Sequence, residues 1–491
     1  MTLSFGGLLK NKYNPYLIIG FIFFIKLLSV LYLIHLSKCL APSFFSGLAS
    51  MTGDASSYIT PIDNYINEGS YYFGSAKAGR MPYVGIVYYL FRLLFEKNVA
   101  LSIVVILQVL MESIAIYYTA KLCAGLFKNR KAFWVFIFLS LLSLNITFFD
   151  FYILSESFGI SFLCLFAYQY YTYLSGERSN KKLVLTGLFL ALTILFKPYF
   201  SLLFIFMGAE LLWHYRRFKL SDYAKKILTS SIIVSIPIIV LDAPWVVRNY
   251  KLFNKFIPFQ QNIYAGYPFP PASQAYITFI KTIGESFTFW DTRSAGCYFE
   301  PQEAIPCIYK FPKRIFSADL TMRDIEEARN LYLAFRRNPT DSLENLTVNK
   351  FNLMTETYKR DHKFSYYFLT PLILCKNFLI HSGSYYMPVK KGSECYHSYQ
   401  WALKILQSLL YYLAFTAGFA GLIFMFLQDK RTYMLLLIPL YLVIFFPLGL
   451  RATEFRYFAP SYPFLILGVS YFCFRFYDYG KKLFTRKAAA E

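Results

Sequence analysis

At 491 residues, with 56% hydrophobic, 21% aromatic and 16% charged side chains, the chain is too apolar for a soluble globular protein, whose composition runs near about 45–50% apolar and about 25% charged. Its formal charge of +22 does not call for a nucleic-acid partner, because lysine and arginine collect in the cytoplasmic loops of membrane proteins and fix their orientation. The eight cysteines and five histidines show no zinc-like spacing.

From the N-terminus, residues 16–37 lack a small-residue cleavage site and read as a retained first span. Further apolar runs follow at 99–120, 132–149, 152–174, 183–197, 198–213, 226–243, 401–427, 432–449 and 459–476, each near bilayer-spanning length. The basic residues between them are Lys10 and Lys12, the 121–131 group, Arg178 with Lys181 and Lys182, the 216–226 group, Lys430 with Arg431, and Lys481, Lys482, Arg486 and Lys487. About ten spans with both termini cytoplasmic put all of them on one side. Two leftover apolar stretches, 82–95 and 364–382, read as helices lying in the outer interface. The expectation is an all-α polytopic membrane protein. It divides into a membrane module (1–243) with a first external loop (38–98), a mixed extracytoplasmic loop domain (244–400), and C-terminal spans with a cytoplasmic tail (401–491).

In the external stretches, Ser317–Arg337 has early acids and late arginines, a helix stopped by Pro339. Cys297 and Cys307 lie ten residues apart in an extracytoplasmic segment, where a disulfide persists. Cys395 is either free or a competitor for that bond, while Cys123, Cys164 and Cys473 read as buried fillers.

Polar residues gather where the spans emerge outside. Gly53-Asp54 follows the first span, and Gly53 lets the backbone approach a ligand. Transfer of a sugar from a lipid phosphate needs a base near the acceptor and positive charge on the departing phosphate. Asp54 is the candidate base, against the plainer reading of a turn or cap; Asp63 and Glu68 read as helix surface. Arg80, before Met81-Pro82, has the donor fork that suits phosphate, or else simply meets lipid headgroups. Lys197, Arg248, Arg456 and Tyr457 complete the outer donors. Asp150 and Glu156 flank the turn between the third and fourth spans, as caps or, with Asp54, as ligands for a divalent ion or the acceptor. Lys26, Gln108 and Glu112, few and unpatterned, read as interhelical bonds or snorkelling side chains rather than a transport path.

In order, these clusters resemble the GT-C class of polyprenyl-phosphate-sugar glycosyltransferases, of the aminoarabinose and protein O-mannosyl transferase type. The likeness runs from Gly53-Asp54 through Arg80-Met81-Pro82, Leu154-Ser155-Glu156, Lys197-Pro198 and Pro244-Trp245-x-x-Arg248-Asn249-Tyr250 to Glu454-Phe455-Arg456-Tyr457. Met81 replaces a second proline, and Lys197 stands where arginine is commoner. The resemblance implies a GT-C fold and inverting transfer, with Asp54 as base or metal-assisted activator and Arg80 and Arg248 on the lipid phosphate. The expected partners are a polyprenyl-phosphate (undecaprenyl-phosphate) sugar and a lipid, glycan or protein acceptor. A divalent metal is the one cofactor considered. The expected location is a bacterial plasma membrane with the site facing the periplasm or exterior. The competing readings are a lipid-linked glycan transporter or flippase, a glycan polymerase or ligase, and a non-catalytic scaffold.

Overall fold

The computed structural model describes residues 14–176, 179–216, 219–261, 263–264, 267–302, 306–381 and 387–488. Lys10, Lys12, Arg178 and Arg217 lie outside the described residues, as do the side chains of Lys481, Lys482, Arg486 and Lys487. By its contacts the chain forms two compact units. One comprises Met1–Gln261, Ser382–Leu440 and Ala459–Glu491, the other Asn262–His381 and Tyr441–Phe458.

The first unit opens with α1 (Pro15–Leu40), started by the Asn14 side chain accepting from the Tyr16 amide with Pro15 behind it. Then come α2 (Ala55–Glu68), α3 (Tyr83–Arg92), α4 (Lys97–Phe127), α5 (Arg130–Leu142), α6 (Glu156–Ser175), α7 (Asn180–Phe196), α8 (Leu202–Tyr215) and α9 (Leu220–Phe253). The helices α1, α4, α6, α7 and α9 pack in a chain of neighbours. Α core of Val30, Leu33, Val104, Val105, Phe148 and Phe158 lies beneath the first loop.

Among the described residues, six helical segments are long and apolar enough to cross a membrane: Pro15–Leu40, Lys97–Phe127, Leu220–Phe253, Ser398–Gln428, Lys430–Leu450 and Phe455–Arg475. The expected ten are reached only by adding α5 to α8, which are shorter or more polar. The run 132–149 does not stay helical: α5 ends at Leu142, and residues 143–155 form a buried, mostly irregular loop with one turn of 3₁₀ helix at Thr147–Phe149. Such a loop survives burial only if its backbone groups find partners. Gln108 donates to the carbonyls of Phe149 and Tyr152 at 3.1 and 3.0 Å. Gln407 accepts from the Leu144 amide and donates to the Leu142 carbonyl. Lys26, paired with Glu112 at 3.0 Å, donates to Thr147. The three intramembrane polar residues are thus interhelical and loop-holding bonds.

The second unit contains α10 (Pro271–Ile283), α11 (Ala295–Phe299), α12 (Met322–Arg337), α13 (Asp341–Asp361) and α14 (Thr370–Leu379), the last preceded by a π turn at Ser365–Leu369. Its core is aromatic, with Tyr276, Phe299, Tyr332 and Phe351 in contact. The helix expected from Ser317 starts instead at Met322, because Thr321 and Asp324 form a capping box there. Apart from short ladders such as Ile263–Tyr264 with Tyr267–Pro268, the described part of this unit is helices joined by irregular stretches at 284–294 and 306–321.

Three helices return the chain: α15 (Ser398–Leu413), continued through a π turn into α16 (Phe419–Gln428); α17 (Tyr433–Val443); and α18 (Tyr462–Ala488). Gly418 and Gly421 meet Gly468 backbone to backbone, leaving no room for a Cβ. Small residues allow this close approach between apolar helices.

Candidate active site

The segment after α1 folds back through a two-residue ladder, Phe45–Ser46 with Ala49–Ser50. The Ser50 amide donates to the Phe151 carbonyl at 2.7 Å, fastening this loop to the 143–155 loop. Gly53 has φ +52° with open space where a Cβ would stand. Its protein-imposed requirement is the left-handed turn that launches α2. Asp54 occupies the N-cap position, yet its side chain caps nothing. Its Oδ1 meets Arg80 Nη2 at 2.9 Å instead, with the two side chains 33% and 21% exposed.

Arg80 grips the first turn of α2 from several directions. Its Nε donates to Ser57 Oγ at 3.0 Å, and Ser57 donates to the Asp54 carbonyl at 2.6 Å. The guanidinium lies 5.1 Å from the Tyr58 ring. The Tyr58 hydroxyl is 3.2 Å from Ser155 Oγ, which carries the network to the start of α6. There Glu156 pairs with Lys197 at 2.6 Å, the side chains only 2% and 8% exposed. Gly159, three residues on, makes this possible: a Cβ there would stand 2.8 Å from Lys197 Cγ. Asp150 accepts the Ser157 hydroxyl at 2.6 Å.

Arg248, near the end of α9, donates through Nη2 to the Tyr71 carbonyl at 3.0 Å and through Nη1 to Asn249 Oδ1 at 2.9 Å. Its guanidinium lies 4.7 Å from the Trp245 ring and 5.1 Å from that of Tyr71. The Tyr71 hydroxyl in turn donates to the Arg80 carbonyl at 3.3 Å, so one tyrosine ties the two arginines together. Burial pushes the Tyr71 hydroxyl above its usual range, with Arg248 opposing. Met81 joins Ala78, Leu195 and Trp245 in an apolar cluster beneath.

Within the second unit, Arg456 donates to Glu454 at 2.6 Å and the Tyr457 ring stacks on Phe446 at 4.4 Å. Cys297 and Cys307 are bonded. Cys395 is bonded to Cys39 at the end of α1, a partner the sequence reading did not consider. Cys123 and Cys164 are buried, but Cys473 is exposed, because its place on α18 turns it away from the packed face. Asp63 is not plain helix surface either. It accepts from Tyr88 at 2.8 Å and pairs with Lys97 at 2.7 Å, joining α2, α3 and α4.

The geometry thus gathers Asp54, Arg80, Glu156, Lys197 and Arg248 through a network in which Ser57, Tyr58, Tyr71 and Ser155 are the links. Sequence reasoning did not name those four as site residues, although Ser57, Tyr58 and Ser155 stand within four residues of a candidate; Tyr71, in the loop before Arg80, carried no such signal. For a divalent ion the fit is poor: Asp54 and Glu156 each face a cation, and no third histidine, cysteine or acid joins them among the described residues. The cluster that does gather three such groups, His35 with Cys39 and Cys395, has its sulfurs in a disulfide.

What the arrangement offers is a carboxylate one-third in solvent, paired with one arginine and linked through Tyr71 to a second. Residues 70–263 match the model of the Alg9-like mannosyltransferase family, a family of GT-C type polyprenyl-phosphate-sugar glycosyltransferases. That stretch contains Arg80, Glu156, Lys197 and Arg248, and begins after Asp54. No curated protein and no solved structure matches the chain. The family match covers less than half of the chain; with the apolar helices it points to a multi-pass membrane protein similar to glycosyltransferases that use a lipid-linked sugar.

Proposed function

We propose that this Alg9-like membrane chain transfers mannose from a polyprenyl phosphate to a hydroxyl of an extracytoplasmic lipid, glycan or protein, by inverting displacement. The observation that carries the proposal is the Asp54–Arg80 pair, a 2.9 Å contact beside a second arginine that shares Tyr71 with it. A carboxylate held by a guanidinium is a poor base, because the cation stabilises its ionised form. The phosphate of the donor draws on the same guanidinium, and arginine binds phosphate through paired donors. Donor binding therefore weakens the hold on Asp54 just when a base is required.

In the transfer, Asp54 takes the proton of the acceptor hydroxyl. The acceptor oxygen bonds to the anomeric carbon from the face opposite the phosphate, and the C1–O bond to phosphate breaks. The electron pair leaves on the polyprenyl phosphate, where Arg80 and Arg248 stabilise the added charge. Glu156 and Lys197 fix the start of α6 and, through Ser155, the Tyr58 face of Arg80. Arg456 and Tyr457 stay donor-phosphate candidates of the second unit.

The Cys39–Cys395 disulfide supports an oxidising compartment on the side where α1 ends. The exterior of a bacterial plasma membrane meets that condition.

The test is donor choice. Purified protein is given mannosyl-phosphoryl-polyprenol or a nucleotide-linked mannose, with membrane extract as acceptor. Transfer from the lipid donor alone, with inverted anomeric configuration in the product, is expected. Transfer from the nucleotide sugar alone, or retained configuration, overturns the reading.

A further inference from the structure

In the second unit, the helix made of the π turn Ser365–Leu369 and α14 has two apolar faces, and one of them is bare. Thr370, Leu374 and Phe378 are buried. Phe364, Phe368 and Leu372 keep the same four-residue spacing but are 73%, 62% and 67% exposed, with Tyr367 beside them at 63%. The two stripes are offset by two residues, about 200° around a helix, so the second points away from the first. Phe364 and Phe368 stack on each other with ring centroids 5.6 Å apart, which makes the exposed stripe one patch instead of scattered side chains. Contiguous apolar patches mark a contact with a partner or a membrane.

What covers this patch follows from where the helix is fastened. Both of its ends are tied to Tyr441–Phe458, a segment of the same unit that holds the end of the apolar span Lys430–Leu450. With Lys430 and Arg431 on the cytoplasmic side, Leu450 stands at the outer membrane boundary. Arg451, next in the chain, donates through Nη2 to the Tyr366 carbonyl at 3.1 Å, and its guanidinium lies 4.0 Å from the Tyr366 ring. At the other end, Phe378 stacks on Phe446 at 6.1 Å. From Arg451 to Phe446 is roughly 7 Å along a helix axis, whereas from Tyr366 to Phe378 is roughly 18 Å. The two fastening points differ in depth by far less than the length of the helix, so it lies obliquely across the outer end of the span and does not cross the bilayer. The apolar run 364–382 reads from sequence as an interfacial helix; the structure supplies the face and the fastening. Lys363 and Lys376 are exposed near its two ends, where interfacial helices carry cations.

We propose that residues 364–379 are a membrane anchor of the second unit, with Phe364, Tyr367, Phe368 and Leu372 entering the outer leaflet at the boundary of headgroups and acyl chains. An interfacial helix buries its apolar face about 5–10 Å into that boundary. Phe446, the residue that holds Phe378, is roughly 6 Å inside Leu450 along the span, which is the same depth. Aromatic rings suit this level of the bilayer. The contact is independent of sugar transfer and is read without an activity.

The experiment uses the full-length protein in liposomes of phosphatidylethanolamine and phosphatidylglycerol. Benzoylphenylalanine replaces Tyr367, Phe368 or Leu372 in turn, exposed positions where a larger ring disturbs no packing, and Glu326 on the exposed side of α12 serves as control. After irradiation, intact-protein masses should show lipid adducts at the three positions at least about tenfold above the control, because acyl chains rather than water surround an interfacial apolar face. Adducts no more frequent than at Glu326 overturn the proposal. Cross-linking of one chain to another assigns the face to a contact between copies and overturns it as well. Depth is read from Tyr367→Trp, whose added fluorescence should be quenched more by lipids brominated near the headgroup end of the acyl chain than by lipids brominated near the methyl end. The reverse order would make the segment a crossing one and overturn the interfacial placement.

Discussion

Two ion pairs in the first unit carry the same charges in contrasting settings. Asp54–Arg80 spans 2.9 Å with a third of the carboxylate side chain in solvent. Glu156–Lys197 spans 2.6 Å with almost none. The first pair is partly exposed and therefore held less firmly than the second, so it exchanges partners at lower cost when a phosphate arrives. Removing one member of a buried pair strands its partner and costs about 3–5 kcal/mol. The contrast teaches that one pair is built to open and the other to stay shut, although the sequence presents both as an acid and a base in outer turns.

The sharpest way to break this comparison is Glu156→Gln, which leaves Lys197 charged and buried. Thermal unfolding in detergent should show a loss of about 3–5 kcal/mol, and the double variant Glu156→Gln with Lys197→Met should recover most of it. Unchanged unfolding of the single variant would remove the structural role assigned to this pair. Next comes Arg80→Gln, expected to lower stability by less than Glu156→Gln, about 1–3 kcal/mol for the lost charged hydrogen bonds. It should raise the apparent KM for the lipid donor roughly tenfold to a hundredfold, as loss of a charged hydrogen bond predicts. Arg248→Gln should raise that KM less, because Tyr71 and Asn249 also hold this guanidinium; a donor titration of both variants ranks them.

The smallest effect is a control in the second unit. Burial alone would raise the Asp324 carboxyl, but the Thr321 and Lys350 hydrogen bonds outweigh it and hold the group at about 2. An unfolded aspartate titrates near about 3.9. The stabilisation from Asp324 is therefore complete above about pH 4 and is lost as pH falls through about 2. Asp324→Asn should lower stability by about 1 kcal/mol at neutral pH, with the gap to wild type closing at the acid end and transfer at neutral pH unaffected. A constant gap across that window would contradict the assignment.

Much of the membrane module was legible because apolar runs and basic loops obey simple rules. Where the reading failed, the cause was long-range. The 143–155 loop looks helical in its apolar content, but Gln108, Gln407 and Lys26 supply its backbone with partners from far away in the chain. No local pattern announces them. The partner of Cys395 was equally hidden, at a sequence separation of 356. Helix α13 is different: Thr347, Phe351, Met354 and Tyr358 are buried at helical spacing, a signal present in the sequence and passed over. At the site, Asp54, Arg80, Glu156, Lys197 and Arg248 could be named from their positions at span ends. Their pairing could not, because it depends on how α2, α6 and α7 meet.

The most direct test of the central claim compares wild type with Asp54→Asn, measuring sugar release from labelled mannosyl-phosphoryl-polyprenol alongside binding of the same donor. Loss of a general base should reduce transfer by about 10²- to 10⁴-fold, while donor binding and thermal unfolding stay near wild type. Equal transfer by the two proteins would contradict the assignment of Asp54 as the base, and with it the account of a pair built to open.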